Sequence, residues 1–266
     1  GWEAGSYLAT YYPEEDEAVD LNGHRDALFP EEVILGSLFD AVPLEEYFEG
    51  WADAADGSPL FSFAVSYQNH GPYAETESTV PYVSPEASGW SQESCNILNN
   101  YLFGVNETVR EYVRLTQELD ARDTPVVLVL FGDHKPWMGN GGSVYEEMGI
   151  DFDTSTLAGF RNYYATPYLI WANRAAKEVL GADFTGDGGD FSPCFLMTRL
   201  FDACGWAGPG YMQLSRAMRD ISPLLHTNGL FLHDGVLTSV LSDTDHSFYR
   251  SWLAVQYYRE HVAAYS

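Results

Sequence analysis

The stretch Val126-Val127-Leu128-Val129-Leu130-Phe131-Gly132-Asp133-His134-Lys135-Pro136 decides the fold. Its six consecutive apolar residues are typical of a strand buried on both faces of a parallel sheet. A glycine and two polar residues, Asp133 and His134, follow where the strand must end. The sequence therefore predicts an α/β protein with polar side chains at the carboxyl end of a central strand.

The segments before this strand predict a right-handed βαβ unit. Residues 60–67 are short, aromatic and β-branched and follow Gly57-Ser58-Pro59, which indicates another strand. Residues 94–120 carry apolar side chains at three- and four-residue intervals, which indicates a long amphipathic helix. A strand, a helix and a strand in this order place the two strands parallel to each other.

The remaining segments extend this α/β pattern. The sheet is expected to continue at residues 168–171, and helices are predicted at residues 190–205, 211–221 and 243–264, with two short strands before the last helix. Residues 1–30 are rich in Tyr, Pro, Glu and Asp without a sustained period, so we expect an irregular arm. The sheet as a whole is predicted to be mostly parallel.

Charge limits the classes of function. The 266 residues carry a formal net charge of -26 at pH 7, from 39 acidic and 13 basic side chains. This field repels nucleic acid, so nucleic-acid binding is not expected. An anionic substrate would need a metal ion at the site, which favours a metalloenzyme.

The sequence contains no run of about 18 apolar residues, so it predicts no transmembrane helix within this stretch. The chain lacks an initiating Met, so we interpret it as a piece of a longer protein.

The three cysteines, Cys95, Cys194 and Cys204, cannot all pair within one chain, and none lies in a C-x-x-C pair. Cys194 and Cys204 could form a bridge. Two buried structural thiols are the favoured interpretation.

The loops after the two predicted parallel strands are the first candidates for a functional site. Asn69-His70 follows the first strand and Asp133-His134 the second, so both loops open on one edge of the sheet. Gly132 is expected to let the backbone turn, so that Asp133 and His134 need not point to opposite faces. A carboxylate oxygen and an imidazole nitrogen suit Mn²⁺ or Zn²⁺ better than Ca²⁺.

Each of these residues also has a simpler interpretation. An Asp-His pair after a strand is typical of a helix cap followed by a surface histidine, and a lone histidine such as His70 is more often a hydrogen-bonded structural residue. Lys135 could attract phosphate or simply be solvated. Trp137 could form a wall of the pocket or pack in the core. The arrival of both loops at one edge favours the site.

Three segments resemble, in order and spacing, motifs of the lipoteichoic acid synthase branch of the sulfatase superfamily. Residues 131–136 (FGDHKP) resemble its FGDHxP motif, and residues 67–73 (YQNHGPY) resemble its xQNHGPY segment. Residues 164–173 (YATPYLIWAN) are similar to its TPxxIWAN strand. The three together are far more specific than any one of them.

The resemblance implies an alkaline-phosphatase/sulfatase-like α/β/α sandwich with a mostly parallel central sheet, truncated at its N-terminus. Residues 1–266 would be the C-terminal portion of the catalytic domain. It also implies a transferase of phosphoglycerol or a related phosphodiester group, which works through a divalent metal and a covalent threonine or serine. Manganese is the first expectation for the metal, with magnesium or zinc as alternatives.

The same resemblance implies where the enzyme works and on what. The full-length protein would be anchored at the extracellular face of a bacterial membrane by a transmembrane region outside this sequence. Its substrate would be an anionic glycerophospholipid or a glycerophosphate polymer.

Residue by residue, Asp133 and His134 match two metal ligands, and His70 matches the catalytic histidine that contacts the substrate phosphate or glycerol. The residues predicted to bind substrate are His70, Asn69, Lys135 and Trp137. The family's ligand glutamate and nucleophilic threonine have no matching motif here. We therefore assign no nucleophile and expect this stretch alone to be inactive, with weak metal affinity.

Two alternative functions stay open. A sulfatase or a phosphonate or phosphodiester hydrolase of the same superfamily would differ in its nucleophile. A noncatalytic module of the cell envelope that binds glycerophosphate polymers would lack the glutamate and the threonine in the longer protein as well.

Overall fold

The computed structural model describes residue 61 and residues 69–261, and the chain divides into two compact units. Unit 1 comprises Gly1–Leu119 and Pro136–Ile150, and unit 2 comprises Asp120–Lys135 and Asp151–Ser266. The predicted arm at residues 1–30 lies outside the described residues, as does the predicted strand at residues 60–67 apart from residue 61.

Unit 1 is built around helix α2 (Gln92–Asp120), which confirms the helix predicted at residues 94–120. The other helices of the unit are short: α1 (Pro85–Ser88), a 3₁₀ turn (Asn140–Gly142) and α3 (Ser143–Glu147). The core joins both of its chain segments through the buried side chains of Ile97, Leu98, Met138 and Val144.

Unit 2 contains the apolar run predicted to be a strand. It forms strand β1 (Val127–Phe131), which pairs with β2 (Tyr168–Ala172). The pairing is antiparallel, with Val127 opposite Ala172 and Phe131 opposite Tyr168. The sheet thus continues at residues 168–171, as predicted, but this pair does not contribute to the mostly parallel sheet that the sequence predicted. The parallel pairing expected between residues 60–67 and β1 involves residues outside the described part of the chain and stays a prediction.

The antiparallel direction follows from where the chain returns to the sheet. The N–H of Gly132 donates to the carbonyl of Pro167 (3.1 Å), and the hydroxyl of Thr166 donates to the carbonyl of Gly132 (2.7 Å). The chain thus re-enters beside the end of β1 rather than beside its start. An apolar run indicates burial and carries no information on the direction of the partner strand. β1 is in fact only partly buried, and Phe131 is exposed.

The rest of unit 2 is helical, with one small antiparallel sheet. Its helices are α4 (Leu157–Tyr164), α5 (Arg174–Leu180), a 3₁₀ turn (Pro193–Phe195), α6 (Leu196–Ala203), α7 (Gly210–Ile221) and α8 (Asp243–His261). Its second sheet runs in the order β3 (Leu225–His226), β4 (Leu230–His233), β5 (Val236–Thr238). These elements confirm the helices predicted downstream of β2 and the two short strands before the last helix.

The core of this helical part centres on Phe195, Met218 and Trp252, which α7, α8 and the second 3₁₀ turn contribute. The indole N–H of Trp252 donates to the hydroxyl of Ser215 (3.0 Å), so the buried ring has a hydrogen-bond acceptor. Among the described residues, no helix combines the length and the apolar character that crossing a bilayer requires.

All three cysteines are free, so Cys194 and Cys204 are not bridged. Cys95 and Cys204 are buried, as expected of structural thiols, whereas Cys194 is exposed. The favoured interpretation therefore fits Cys204, and it fits Cys194 only in part, because the residue is exposed while burial raises the pKa of its thiol to about 11.

The side chain of Asn173, which is completely buried, holds the β1–β2 pair together at the end away from Asp133. Its carbonyl oxygen accepts from the N–H groups of Val126 and Ala176, both at 2.9 Å, and the second of these bonds caps α5. Its amide nitrogen donates to the carbonyl of Thr124 (2.8 Å). One carboxamide thus fixes the start of β1, the end of β2 and the first turn of α5.

We predict that Asn173→Ala lowers the free energy of unfolding by about 3 kcal/mol or more, because it leaves buried backbone groups without partners and removes a helix cap. Urea unfolding followed by circular dichroism measures the change. The matched control is Asn162→Ala, which removes one exposed hydrogen bond to the carbonyl of Asp151 and should change stability by less than about 0.5 kcal/mol. A loss below about 1 kcal/mol for Asn173→Ala would contradict this role.

Candidate functional site

Asp133 and His134 leave the end of β1 with their side chains on the same side. The Oδ2 atom of Asp133 lies 3.4 Å from the Nε2 atom of His134, and the two side chains are 58% and 56% exposed. The N–H of His134 donates to the Oδ1 atom of Asp133 (2.8 Å), which holds the carboxylate in place. The expectation that these neighbours need not point to opposite faces is therefore confirmed.

Gly132 has a different role from the predicted one. Its φ angle lies outside the left-handed region, so the turn does not need a glycine for backbone freedom. A Cβ atom at this position would lie 3.2 Å from the Cβ atom of Thr166. The missing side chain therefore lets Thr166 approach and hydrogen-bond to the carbonyl of Gly132, which holds the chain in register up to the residue before Asp133.

The geometry fits a metal ion in part. The Nδ1 atom of His134 lies 2.9 Å from the carbonyl oxygen of Lys135, which can only accept; in the neutral ring this contact favours the tautomer with the proton on Nδ1 and the lone pair that a ligand needs on Nε2. Two ligands about 2.1 Å from a tetrahedral ion lie about 3.4 Å apart. The distance between the Oδ2 atom of Asp133 and the Nε2 atom of His134 has this value.

Further protein ligands are not found in the part of the chain that the structure describes. Within residues 69–261 and residue 61, no group of three His, Cys, Asp or Glu side chains could hold a metal ion together. The pair at the end of β1 would therefore supply two donors and leave the rest of the coordination sphere to water or to other ligands.

The loop that carries His70 belongs to unit 1 and is anchored on α2 through Asn69. The backbone of Asn69 is left-handed (φ 62°), and its side-chain amide donates to the carbonyl of Tyr101 (3.2 Å). The hydroxyl of Tyr73 donates to the carbonyl of Asn69 (2.8 Å), and burial, together with the neighbouring Tyr101 and Tyr145, raises the pKa of Tyr73 to about 12. The structure thus gives Asn69 a positioning role, and its predicted contact with substrate stays a prediction.

Gly104 makes this anchoring possible. A Cβ atom on Gly104 would lie 2.1 Å from the Oδ1 atom of Asn69, so only glycine lets the loop pack this closely against α2. A glycine within a helix costs about 1 kcal/mol relative to alanine. Sequence reasoning did not single out Gly104, although a glycine inside a 29-residue helix is a signal of close approach.

His70 itself is exposed, and its Nδ1 atom lies 2.7 Å from the carbonyl oxygen of Gly71. Because that oxygen can only accept, the contact favours the neutral tautomer with the proton on Nδ1 and the lone pair on Nε2. Gly71 lies beside the backbone of Trp137, since a Cβ atom on Gly71 would be 3.6 Å from the carbonyl oxygen of Trp137. The structure therefore brings the loop of His70 and the segment of Trp137 together within unit 1.

The indole of Trp137 is 65% exposed, so the alternative that it packs in the core is wrong. The next residue, Met138, is buried and takes the place in the core. Lys135 is half-buried, and its backbone carbonyl, rather than its ammonium group, makes the contact with His134. The predicted site residues thus divide between the units, with Asn69, His70 and Trp137 in unit 1 and Asp133, His134 and Lys135 in unit 2.

We predict that Gly104→Ala destabilises unit 1 and displaces the loop of His70, because the new methyl group collides with Asn69. The loss should exceed the gain of about 1 kcal/mol that alanine brings to a helix. Thermal unfolding of the single variants and of the Gly104→Ala/Asn69→Gly double variant forms a cycle that isolates the contact. In the Asn69→Gly background, which keeps the left-handed backbone, Gly104→Ala should become neutral or stabilising. Equal losses in both backgrounds would show that the collision does not limit stability.

Comparison with known proteins identifies a relative and a family of this chain. A protein of Rhizobium meliloti (strain 1021) that is named for cyclic beta-1,2-glucan modification is 28% identical to the chain over 159 residues. The match covers 58% of this chain and 23% of that relative, so the chain spans about a quarter of the relative's length. No solved structure matches the chain significantly. The sulfatase family matches residues 8–205, well over half of the 266 residues, and the chain therefore belongs to the sulfatase family.

Proposed function

We propose that the chain is part of a metal-dependent enzyme that transfers phosphoglycerol, or a related phosphodiester group, to a glycan or a glycerophosphate acceptor. The observation that carries the proposal is the Asp133–His134 pair, whose ligand atoms lie 3.4 Å apart at the end of β1. The likeness of residues 67–73 and 131–136 to segments of lipoteichoic acid synthases supports the phosphoglycerol donor. The name of the Rhizobium relative supports a glucan as acceptor.

Family membership itself implies less than this proposal. Sulfatase-family proteins have an alkaline-phosphatase-like α/β fold and generally use a metal ion. The described residues contain both helices and strands, which agrees with such a fold, although the two sheets that they form are small and antiparallel. Membership suggests hydrolase or transferase activity in general, and the transferred group and the acceptor are our proposals.

In the proposed reaction, each candidate residue of this chain would have a separate role. Asp133 and His134 would hold the metal, which when bound neutralises charge on the phosphoryl oxygens. The Nε2 atom of His70 would accept a proton from the attacking hydroxyl group and would afterwards donate a hydrogen bond to a phosphoryl or leaving-group oxygen. Lys135 and the exposed face of Trp137 would contact the anionic donor. We further propose that the full-length protein acts at the outer face of a bacterial membrane.

Metal binding is the first test. We predict that the chain binds Mn²⁺ or Zn²⁺ weakly, with a Kd of about 0.1 mM or above, because only two protein ligands converge. In calorimetric titrations Asp133→Ala should weaken binding by about tenfold or more. The matched control is Asp123→Ala, which removes an exposed carboxylate of the same unit that pairs with Arg174 and should bind as the parent chain does. Equal affinities in Asp133→Ala and the parent would refute the metal site.

Turnover by the full-length protein is the second test. We predict that it cleaves bis(4-nitrophenyl) phosphate faster than 4-nitrophenyl sulfate, and that His70→Gln lowers kcat by about 10²-fold or more. Mass spectrometry of a β-1,2-glucan incubated with the full-length protein and phosphatidylglycerol should detect phosphoglycerol on the glucan. Faster turnover of the sulfate ester would establish the sulfatase alternative, and the absence of turnover on every substrate would establish the noncatalytic one.

A double-mutant cycle tests whether His70 and Asp133 serve the same reaction. The losses in kcat of His70→Gln and Asp133→Ala should be far from additive, since residues that act as a unit are not independent. Additive losses would mean that the two residues contribute to separate steps or separate sites.

A further inference from the structure

Unit 2 contains a cavity of about 260 Å³ between the loop before the second 3₁₀ turn and helices α6 and α7. Its lining includes Gly188, Asp190, Phe191, Arg199, Asp202 and Arg219. The volume is slightly below the about 300 Å³ at which typical small-molecule sites begin. The cavity therefore suits a small group rather than a whole polymer.

The two carboxylates in its wall are already neutralised by arginines. Asp190 pairs with Arg161. The Oδ1 atom of Asp202 lies 2.6 Å from the Nε atom of Arg216, and its Oδ2 atom lies 2.7 Å from the Nη1 atom of Arg219. Burial alone would raise the pKa of Asp202, but the guanidinium groups of Arg219 and Arg216 outweigh burial and lower it. Asp202 is therefore ionised at neutral pH, and one carboxylate faces two guanidinium groups.

Arg199 presents guanidinium donors that these carboxylates do not use, and Arg219 lines the same cavity. The Nε–H of Arg199 donates to the carbonyl of Gly188 (3.3 Å), which fixes the guanidinium, and no carboxylate of the described residues pairs with it. The Nη1 atom of Arg219 is buried and lies 2.7 Å from the Oδ2 atom of Asp202, so this nitrogen already has a charged partner. The guanidinium of Arg199, which lines the cavity without a carboxylate partner among the described residues, is the group that an entering oxyanion would meet.

The charge around the cavity differs in sign from that of the whole chain. Four of the 13 basic side chains of the protein line the cavity or pair with its lining, namely Arg161, Arg199, Arg216 and Arg219, against the three acidic side chains of Asp190, Asp202 and Asp220. The local excess is one positive charge in a protein of net charge -26. Arginine is also the side chain whose planar fork binds phosphate and carboxylate oxygens in pairs.

Tyr168 packs against the loop that forms one wall of the cavity. A Cβ atom on Gly188 would lie 1.7 Å from the hydroxyl oxygen of Tyr168, so only glycine allows the loop to pack against this ring. The hydroxyl of Tyr168 donates to the carbonyl of Gly189 (3.2 Å), and its ring packs on Phe191 with 4.8 Å between ring centroids. Tyr168 pairs with Phe131 in the sheet, so the cavity lies toward the end of the β1–β2 pair from which Asp133 emerges.

We infer that this cavity is a second oxyanion site, in which Arg199 and Arg219 bind a phosphoryl or sulfuryl group. The site goes beyond the proposed function because its donors are guanidinium groups and it needs no metal. Its position in unit 2 suits a second anionic group of a substrate or product. Because the neighbouring carboxylates are already paired, an entering anion faces little repulsion from them.

The test is calorimetric titration of the chain with inorganic phosphate and, separately, with sodium sulfate, at constant ionic strength and with a chelator present. We expect saturable binding of at least one anion with a Kd of about 1 mM. Arg199→Gln should weaken it by about tenfold or more, whereas Arg199→Lys should lose less because it keeps the charge without the fork. The control is Arg174→Gln, which removes a half-exposed arginine of the same unit and should bind as the parent chain does.

The two anions tell whether the site prefers a phosphoryl or a sulfuryl group. Circular dichroism confirms that each variant is folded, and Arg199→Lys carries the test if Arg199→Gln does not fold. Retained anion binding in Asp133→Ala would show that the site is independent of the proposed metal pair. Equal affinities in the parent and both Arg199 variants, or no saturable binding of either anion, would overturn the inference.

Discussion

The carboxamide of Asn173 is the constraint on which the rest of unit 2 depends. It joins the start of β1, the end of β2 and the first turn of α5 in one buried set of hydrogen bonds. The antiparallel register that follows pairs Phe131 with Tyr168, so Gly132 is the last residue held by the partner segment. Asp133 and His134 are then the first residues released from the sheet. A change at Asn173 would therefore reach the candidate metal ligands through the register of two strands.

Three glycines allow a polar side chain to pack directly against the backbone. A Cβ atom would meet Asn69 at Gly104, Thr166 at Gly132 and the hydroxyl of Tyr168 at Gly188. None of these glycines has a left-handed backbone, so close approach rather than a turn explains each of them, and the approach is closest at Gly104 and Gly188. Each approach fixes a different part of the candidate sites: the loop of His70, the end of β1 and the wall of the arginine cavity.

Patterns within short stretches of sequence predicted the features that depend on neighbouring residues. The helical period at residues 94–120 and the apolar run of β1 were sufficient to place a helix and a strand, and the chain order was sufficient to put Asp133 and His134 at the end of that strand. The direction of β2 was not predictable in this way, because it depends on hydrogen bonds between Gly132 and residues 166–167. The role of Asn69 depends likewise on a glycine 35 positions away in the chain.

The arginine cavity has no local sequence pattern, since its charged residues are spread from Arg161 to Arg219. Net charge pointed away from anion binding, yet charges farther away than about 8 Å are largely screened at physiological ionic strength. The field inside a cavity is therefore set by the side chains in its wall. There the carboxylate of Asp202 is shared between Arg216 and Arg219, and the guanidinium of Arg199 is held by a backbone carbonyl. A strongly acidic protein can thus present a positive site without a metal ion, provided that its few arginines are gathered at one place.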